Sequence, residues 1–186
     1  MILLRWGAGT PRGPHASEDT MTSEDTMNDE TAVLLFDVVE RLQKNIAAHD
    51  CPAIVALEGE RRLVLSDYDY LRDPRSATSF ETRAAARAQE IRAKRWVFAV
   101  PLVWVTTPDT VYSRAVSNHP LREGEQETIT WMSFDESDGV DYGRVPYTRR
   151  PSGEPVFDDP EMFAVGVRPA QAMPGHTLLQ ELFPDG

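Results

Sequence analysis

Trp96-Val97-Phe98-Ala99-Val100-Pro101-Leu102-Val103-Trp104-Val105-Thr106 is the stretch that decides the fold. It carries no charge and is mostly β-branched or aromatic, so it favours a pleated, buried backbone over a solvated loop. It is also far too short for a bilayer-spanning helix, which needs about twenty apolar residues. The run reads as a long strand. Pro101 marks a bulge or an edge position within it, because proline cannot donate to a sheet ladder.

Downstream the β pattern continues. Glu127–Phe134 and Val140–Tyr147 flank Asp135–Gly139, where Asp138-Gly139 signals a hairpin turn. Val111–Val116 reads as a strand or an irregular segment, residues 148–161 as a Pro, Gly and Asp-rich loop, and Met162–Val167 as a last strand.

Upstream the period is helical. From about Asp29 to His49, Leu35, Val38, Val39, Leu42 and Ile46 recur on one side. Asn28 is placed to cap this helix, and Cys51-Pro52 ends it. Ala53–Leu57 and Leu63–Leu65 form a hairpin around Glu58-Gly59-Glu60-Arg61. Thr78-Ser79-Phe80-Glu81 has the pattern of a capping box, opening a second helix that runs to about Lys94 with Phe80, Ala84, Ala88 and Ile91 as its apolar stripe. Helices grouped ahead of strands predict an α+β fold, a mainly antiparallel sheet with two amphipathic helices packed on one face.

A chain of 186 residues fits a single domain. Residues 1–27 read either as a flexible acidic tail, with Ser-Glu-Asp-Thr-Met occurring at both Ser17–Met21 and Ser23–Met27, or as a mis-called start preceding Met21 or Met27. Residues 28–168 form the α+β domain. Residues 169–186 read as a flexible C-terminal tail in which Leu178, Leu179, Leu182 and Phe183 line one side of a two-turn helix. A helix of that length is unstable alone, so it docks on the body, docks on a partner or frays.

The formal net charge is −11, and residues 96–186 hold six basic against fourteen acidic side chains. That balance disfavours nucleic acid and anionic membranes as partners. Cys51 is the single cysteine, which rules out an intramolecular disulfide and a cysteine-based zinc site. The opening Met1-Ile2-Leu3-Leu4-Arg5 is too short for a secretory signal, so a cytoplasmic location is expected. The near absence of lysine, Lys44 and Lys94 only, hints at a GC-rich genome.

The chemically richest stretch is Ser117-Asn118-His119-Pro120-Leu121-Arg122-Glu123-Gly124-Glu125. There His119 has the chemistry of a base near neutral pH, Glu125 of its orienting partner, and Arg122 of a carboxylate or phosphate clamp. Trp104, Asp109 and Ser117 are candidate ligand-binding neighbours. The same residues also read as a plain turn in which Arg122 pairs with Glu123 or Glu125. Asp135–Asp141 lacks the alternating start and distal glutamate of a calcium loop. Asp67, Asp69 and Asp73 would need Asp158, Asp159 and Glu161 beside them to gather a cation. No metal or cofactor motif is present, so none is expected.

Ala93-Lys94-Arg95 feeding Trp96–Trp104, followed by Ser117-x-x-Pro120-x-Arg122-x-x-Glu125 and a strand with a glycine turn, resembles a group of uncharacterised bacterial and phage proteins. In that group a helix with a basic end feeds an apolar strand often closing in Glu-Ala-Trp. Here Leu102-Val103 stands in place of Glu-Ala, and one extra residue precedes Glu125 relative to the Ser-x-x-Pro-x-Arg-x-Glu segment of the group. The resemblance spans about residues 80–150. It implies the α+β layout and carries over no catalytic residue.

The expected function is that of a small acidic accessory protein meeting a protein partner or its own copy, with Leu178, Leu179, Leu182 and Phe183 as the contact. The alternative is a small ligand-binding domain or enzyme whose polar site is built on the 117–125 loop.

Overall fold

A computed structural model describes residues 4–7, 27–106, 110–117, 119–163 and 173–184. Helix α1 (Asp29–Ala47) is followed by the hairpin β2 (Ala53–Glu58) and β3 (Arg62–Asp67), then by α2 (Pro74–Glu90). The long strands β4 (Arg95–Thr106), β6 (Glu125–Asp135) and β7 (Gly139–Arg149) come next, with β5 (Thr110–Ala115) between the first two. Short strands β1 (Leu4–Gly7), β8 (Pro155–Phe157) and β9 (Glu161–Met162) and the helix α3 (His176–Leu182) complete the set. All strand pairings among the described residues are antiparallel and the fold is α+β.

The spine of the sheet is β4–β6–β7. On its outer edge β4 holds two partners in succession, β2 along Arg95–Ala99 and β5 along Leu102–Thr106. Pro101 falls in the gap between them, where a missing N–H leaves neither partner without a donor. It is not a bulge, since its pairing with Ile129 of β6 runs through without interruption, and with no strand partner on the other side it occupies a local edge position. β7 repeats the device. Pro146 lies between the residues paired with β9 (Gly143, Arg144) and those paired with β8 (Tyr147–Arg149).

The two long helices lie on opposite faces, not on one. Leu34, Leu35, Val38, Val39, Leu42 and Ile46 of α1 pack with Ile54, Ala56, Val97, Ala99, Ile129, Trp131, Val145 and Tyr147. The alternate residues Val55, Leu57, Trp96, Phe98, Val100, Met132 and Tyr142 pack with Phe80, Ala84, Ala85 and Ala88 of α2. The physical reason is in β2 and β4: every residue of Ala53–Leu57 is buried, and a strand apolar on both sides needs cover on both sides.

Local signals set the ends of α1. The Asn28 side chain accepts from the Thr31 N–H at 2.8 Å, and Asn28 Nδ2 donates to Asp138 at the β6–β7 turn. Thr31 Oγ1 and Arg95 both donate to Asp135, and Arg95 also pairs with Glu30 and Glu58. Although burial works against it, the bonds from Ser137 and Arg95 hold the Asp135 carboxyl well below the usual carboxylate range. Gly139 has φ of +86°, as the predicted Asp-Gly turn requires.

The capping box does not form. α2 begins at Pro74, one turn earlier, with the Asp73 side chain accepting from the Ser76 N–H. Glu81 is left inside the helix and turns inward, 3% exposed.

The C-terminal segment, read as a flexible tail, is docked on the body over its described residues 173–184. Leu178 is fully buried, Leu179 and Leu182 pack against the α2-side core, and Phe183 meets Phe134 at 4.5 Å between ring centres while staying 42% exposed. Of the N-terminal segment, Leu4–Gly7 pairs with β5. Residues 8–26 and 164–172 lie outside the described residues, as does most of the strand expected over Met162–Val167.

Candidate functional site: a cleft beside the β5–β6 loop

On the α1 side of the sheet, beyond the last turn of the helix, lies a cleft of about 560 Å³. Its walls come from separated parts of the chain. The end of α1 and the following loop bring Ile46, His49 and Cys51, the β5–β6 loop brings Val116, Ser117, His119, Pro120 and Leu121, and the turn after β7 brings Gly153. Val103, Glu127 and Arg149 lie on the sheet side.

Strand register explains why charged residues meet here. Glu125 and Glu127 are two apart on β6 and so project from the same face. Val103 sits opposite Glu127 on one side and Arg114 on the other, which puts Arg114 of β5 on that face too. Tyr147 is opposite Glu127 on β7, and Arg149, two residues on, shares its side. Two bidentate pairs result. Arg149 donates to both Glu127 oxygens at 2.8 and 2.9 Å, and Arg114 donates to both Glu125 oxygens at 3.0 and 2.6 Å.

Each pair fixes a wall. Glu127 also accepts from Tyr147 Oη at 3.3 Å, while Arg149 Nη1 donates to the Gly153 carbonyl at 3.2 Å and so ties down the turn. Glu125 also accepts from the backbone N–H of Arg122 at 2.9 Å, and Arg114 Nη1 donates to the Ala115 carbonyl and Ser117 Oγ. The Arg114 guanidinium, helped by that N–H, brings the Glu125 carboxyl down to about 2. Burial pushes the Cys51 thiol up, with Arg149 opposing it. Burial, together with the negative Glu127, pushes the Tyr147 phenol up as well.

Sequence-predicted residues divide among several places. Ser117 and His119 line the cleft. Glu125 stands behind the loop, engaged by Arg114 rather than oriented toward His119. Arg122 contributes its backbone N–H while its side chain faces solvent. Trp104 is on the opposite face: its Nε1 donates to Thr130 Oγ1 at 2.9 Å, it stacks on Phe163, and Arg144 lies over its ring. Adjacent strand residues alternate, so Val103 lines the cleft and Trp104 does not. Asp109 lies outside the described residues. Leu178, Leu179 and Leu182 are spent in the core, leaving Phe183 as the exposed member of that group.

Sequence reasoning missed His49, Cys51, Arg114, Glu127 and Arg149. The Glu125-x-Glu127 spacing was the one available signal, because period two on a strand puts both carboxylates on one face. Among the described residues no three His, Cys, Asp or Glu side chains are grouped to hold a metal ion. Among them, too, no helix is long and apolar enough to cross a membrane.

No family model, no curated protein and no solved structure matches the chain.

Proposed function

We propose that this is a small ligand-binding domain and that the cleft beside the β5–β6 loop takes a small organic ligand. One observation carries the proposal: a concave site of about 560 Å³ is lined by five apolar residues, Ile46, Val103, Val116, Pro120 and Leu121, together with a few polar ones. Small-molecule sites of about 300–1,000 Å³ have this composition, apolar walls for affinity and sparse polar groups for orientation. The polar groups on offer are the His49 and His119 imidazoles, the Ser117 hydroxyl and those Arg149 N–H groups not given to Glu127 or Gly153. The acidic balance of the chain leaves nucleic acid outside this proposal, and the lone cysteine suits a cytoplasmic setting.

A thermal-shift screen of the full chain against nucleotides, carboxylates, amino acids and common cofactors tests it. A true ligand at a hundred times its dissociation constant adds about 2.7 kcal/mol, or about 5–10 °C at this chain length. Ser117→Trp, which fills the mouth of the cleft from an exposed position, removes that shift and leaves the unliganded melting temperature within about 2 °C. A hit that stabilises both proteins equally defeats the assignment.

A second reading, an interaction protein, draws on Val33 and Phe36, one turn apart on the outer face of α1 and 62% and 57% exposed. In its simplest form the partner is a second copy. Sedimentation then gives a dimer for the wild type and a monomer for Phe36→Ser, whereas a monomer for both dismisses self-association through this face.

A further inference from the structure

We propose that α3 is a strap held shut by the carboxylate of Glu81, and that it opens as a unit while the sheet stays folded. Glu81 lies within α2, yet it makes no pairing on that helix. One oxygen accepts from Tyr70 Oη at 2.6 Å and from the Gly175 N–H at 3.0 Å, and the other accepts from the Leu178 N–H at 3.1 Å. Glu81 thus serves as the N-terminal cap that α3 lacks in its own sequence, where the capping position is Gly175 with no side chain to accept. A capping carboxylate normally belongs to the helix it caps. Here it belongs to another one, so capping and docking become the same event.

Three features make the opening local. α3 has seven residues and is too short to persist once undocked. Its packing is against α2 and the Met132–Phe134 stretch of β6, whereas β2, β4 and β6 are also held to one another by their strand ladders and covered on the other face by α1. The closed state also keeps a carboxylate buried with neutral donors and no cationic partner among the described contacts, which is costly; opening returns that group to water. The closed and open forms are therefore closer in free energy than the area buried by Leu178, Leu179 and Leu182 implies. Opening bares Phe134, Met132 and the α2 flank.

Amide hydrogen exchange on the full chain reads this directly. In the wild type, α3 amides exchange through an opening nearly insensitive to denaturant, while β4 and β6 amides exchange only through a strongly denaturant-dependent global opening. Glu81→Gln presents an NH2 where two backbone N–H groups need acceptors. It speeds α3 exchange about tenfold or more and leaves β4 and β6 far less affected. If Glu81→Gln does not fold, Leu182→Ala, at the half-buried edge of the strap, gives the same selective speeding. Exchange of α3 in step with β4 and β6 in the wild type, or equal acceleration of all three in either variant, overturns the proposal.

Discussion

Glu81 and Glu127 are the same residue type, buried to similar degrees (3% and 6% exposed), on opposite faces of one sheet. Glu127 meets a guanidinium in bidentate geometry, with a tyrosine hydroxyl beside it, and the pair ties one strand to the turn that walls a cleft. Glu81 meets three neutral donors, two of them from a distant stretch of backbone. The difference lies in what each carboxylate organises. A charge pair between neighbouring strands stiffens a site already set by the sheet, whereas a lone carboxylate on one helix caps and fastens the start of another.

The largest expected effect separates these two roles. Arg149→Ala strands Glu127 without its counter-ion and costs about 2–4 kcal/mol of global stability, somewhat below the range for fully buried pairs because Arg149 is partly exposed. Urea unfolding measures it. Glu127→Met/Arg149→Met, which removes both charges, recovers most of that loss. Failure of the double variant to recover stability breaks the claim that the pair acts as one unit.

Glu81→Gln comes next. Because α3 can leave alone, the global loss is capped by the docking energy of the strap at about 1–2 kcal/mol, and much of it appears as a smaller denaturant slope. A loss well above the Arg149→Ala value, with an unchanged slope, means that α3 is an integral part of the cooperative core.

Acid titration sharpens the cleft side of the comparison. The folded-state pKa of Glu125 is depressed to about 2 from an ordinary 4.5. A depressed carboxylate adds stability that is fully present above its unfolded pKa and is lost as pH falls through the folded value. The contribution of Glu125 is thus complete above about pH 5 and fades between about pH 4.5 and 2. Glu125→Gln flattens this part of the stability profile, and a variant with the wild-type profile there refutes the Arg114 pairing in solution. The smallest effect belongs to Arg122→Ala. Its hydrogen bond to Glu125 comes from the backbone and survives the substitution, and its exposed guanidinium adds only a weak charge attraction to Glu125, so the change stays within about 0.5 kcal/mol by thermal unfolding.

What was legible in the sequence follows the range of the interaction that decides each feature. Asn28 as a cap and Asp138-Gly139 as a turn depend on neighbours within a few residues, and both appear in the structure. Glu81 shows the limit of the same logic. Thr78-x-x-Glu81 has the spacing of a capping box, but Asp73-Pro74 starts the helix earlier and the apolar side of α2 carries Glu81 inward. The placement of α1 was readable in principle from Ala53–Leu57, a strand without a polar face. Pro101 and Pro146 are informative only once two-partner edges are known. The cleft was the least legible feature, because Ile46, Val103, Ser117 and Arg149 meet through sheet register and the packing of α1, which no local spacing records.

The most direct test of the cleft is a fragment screen read by amide chemical shifts on the full-length, isotope-labelled protein. The account predicts that binding fragments perturb one contiguous set around His49, Cys51, Ser117, His119, Leu121 and Gly153, with α3 and the outer face of α1 silent. Perturbations gathered on the α2–α3 side or along Val33 and Phe36, or a broad panel that moves no cleft amide, would contradict it.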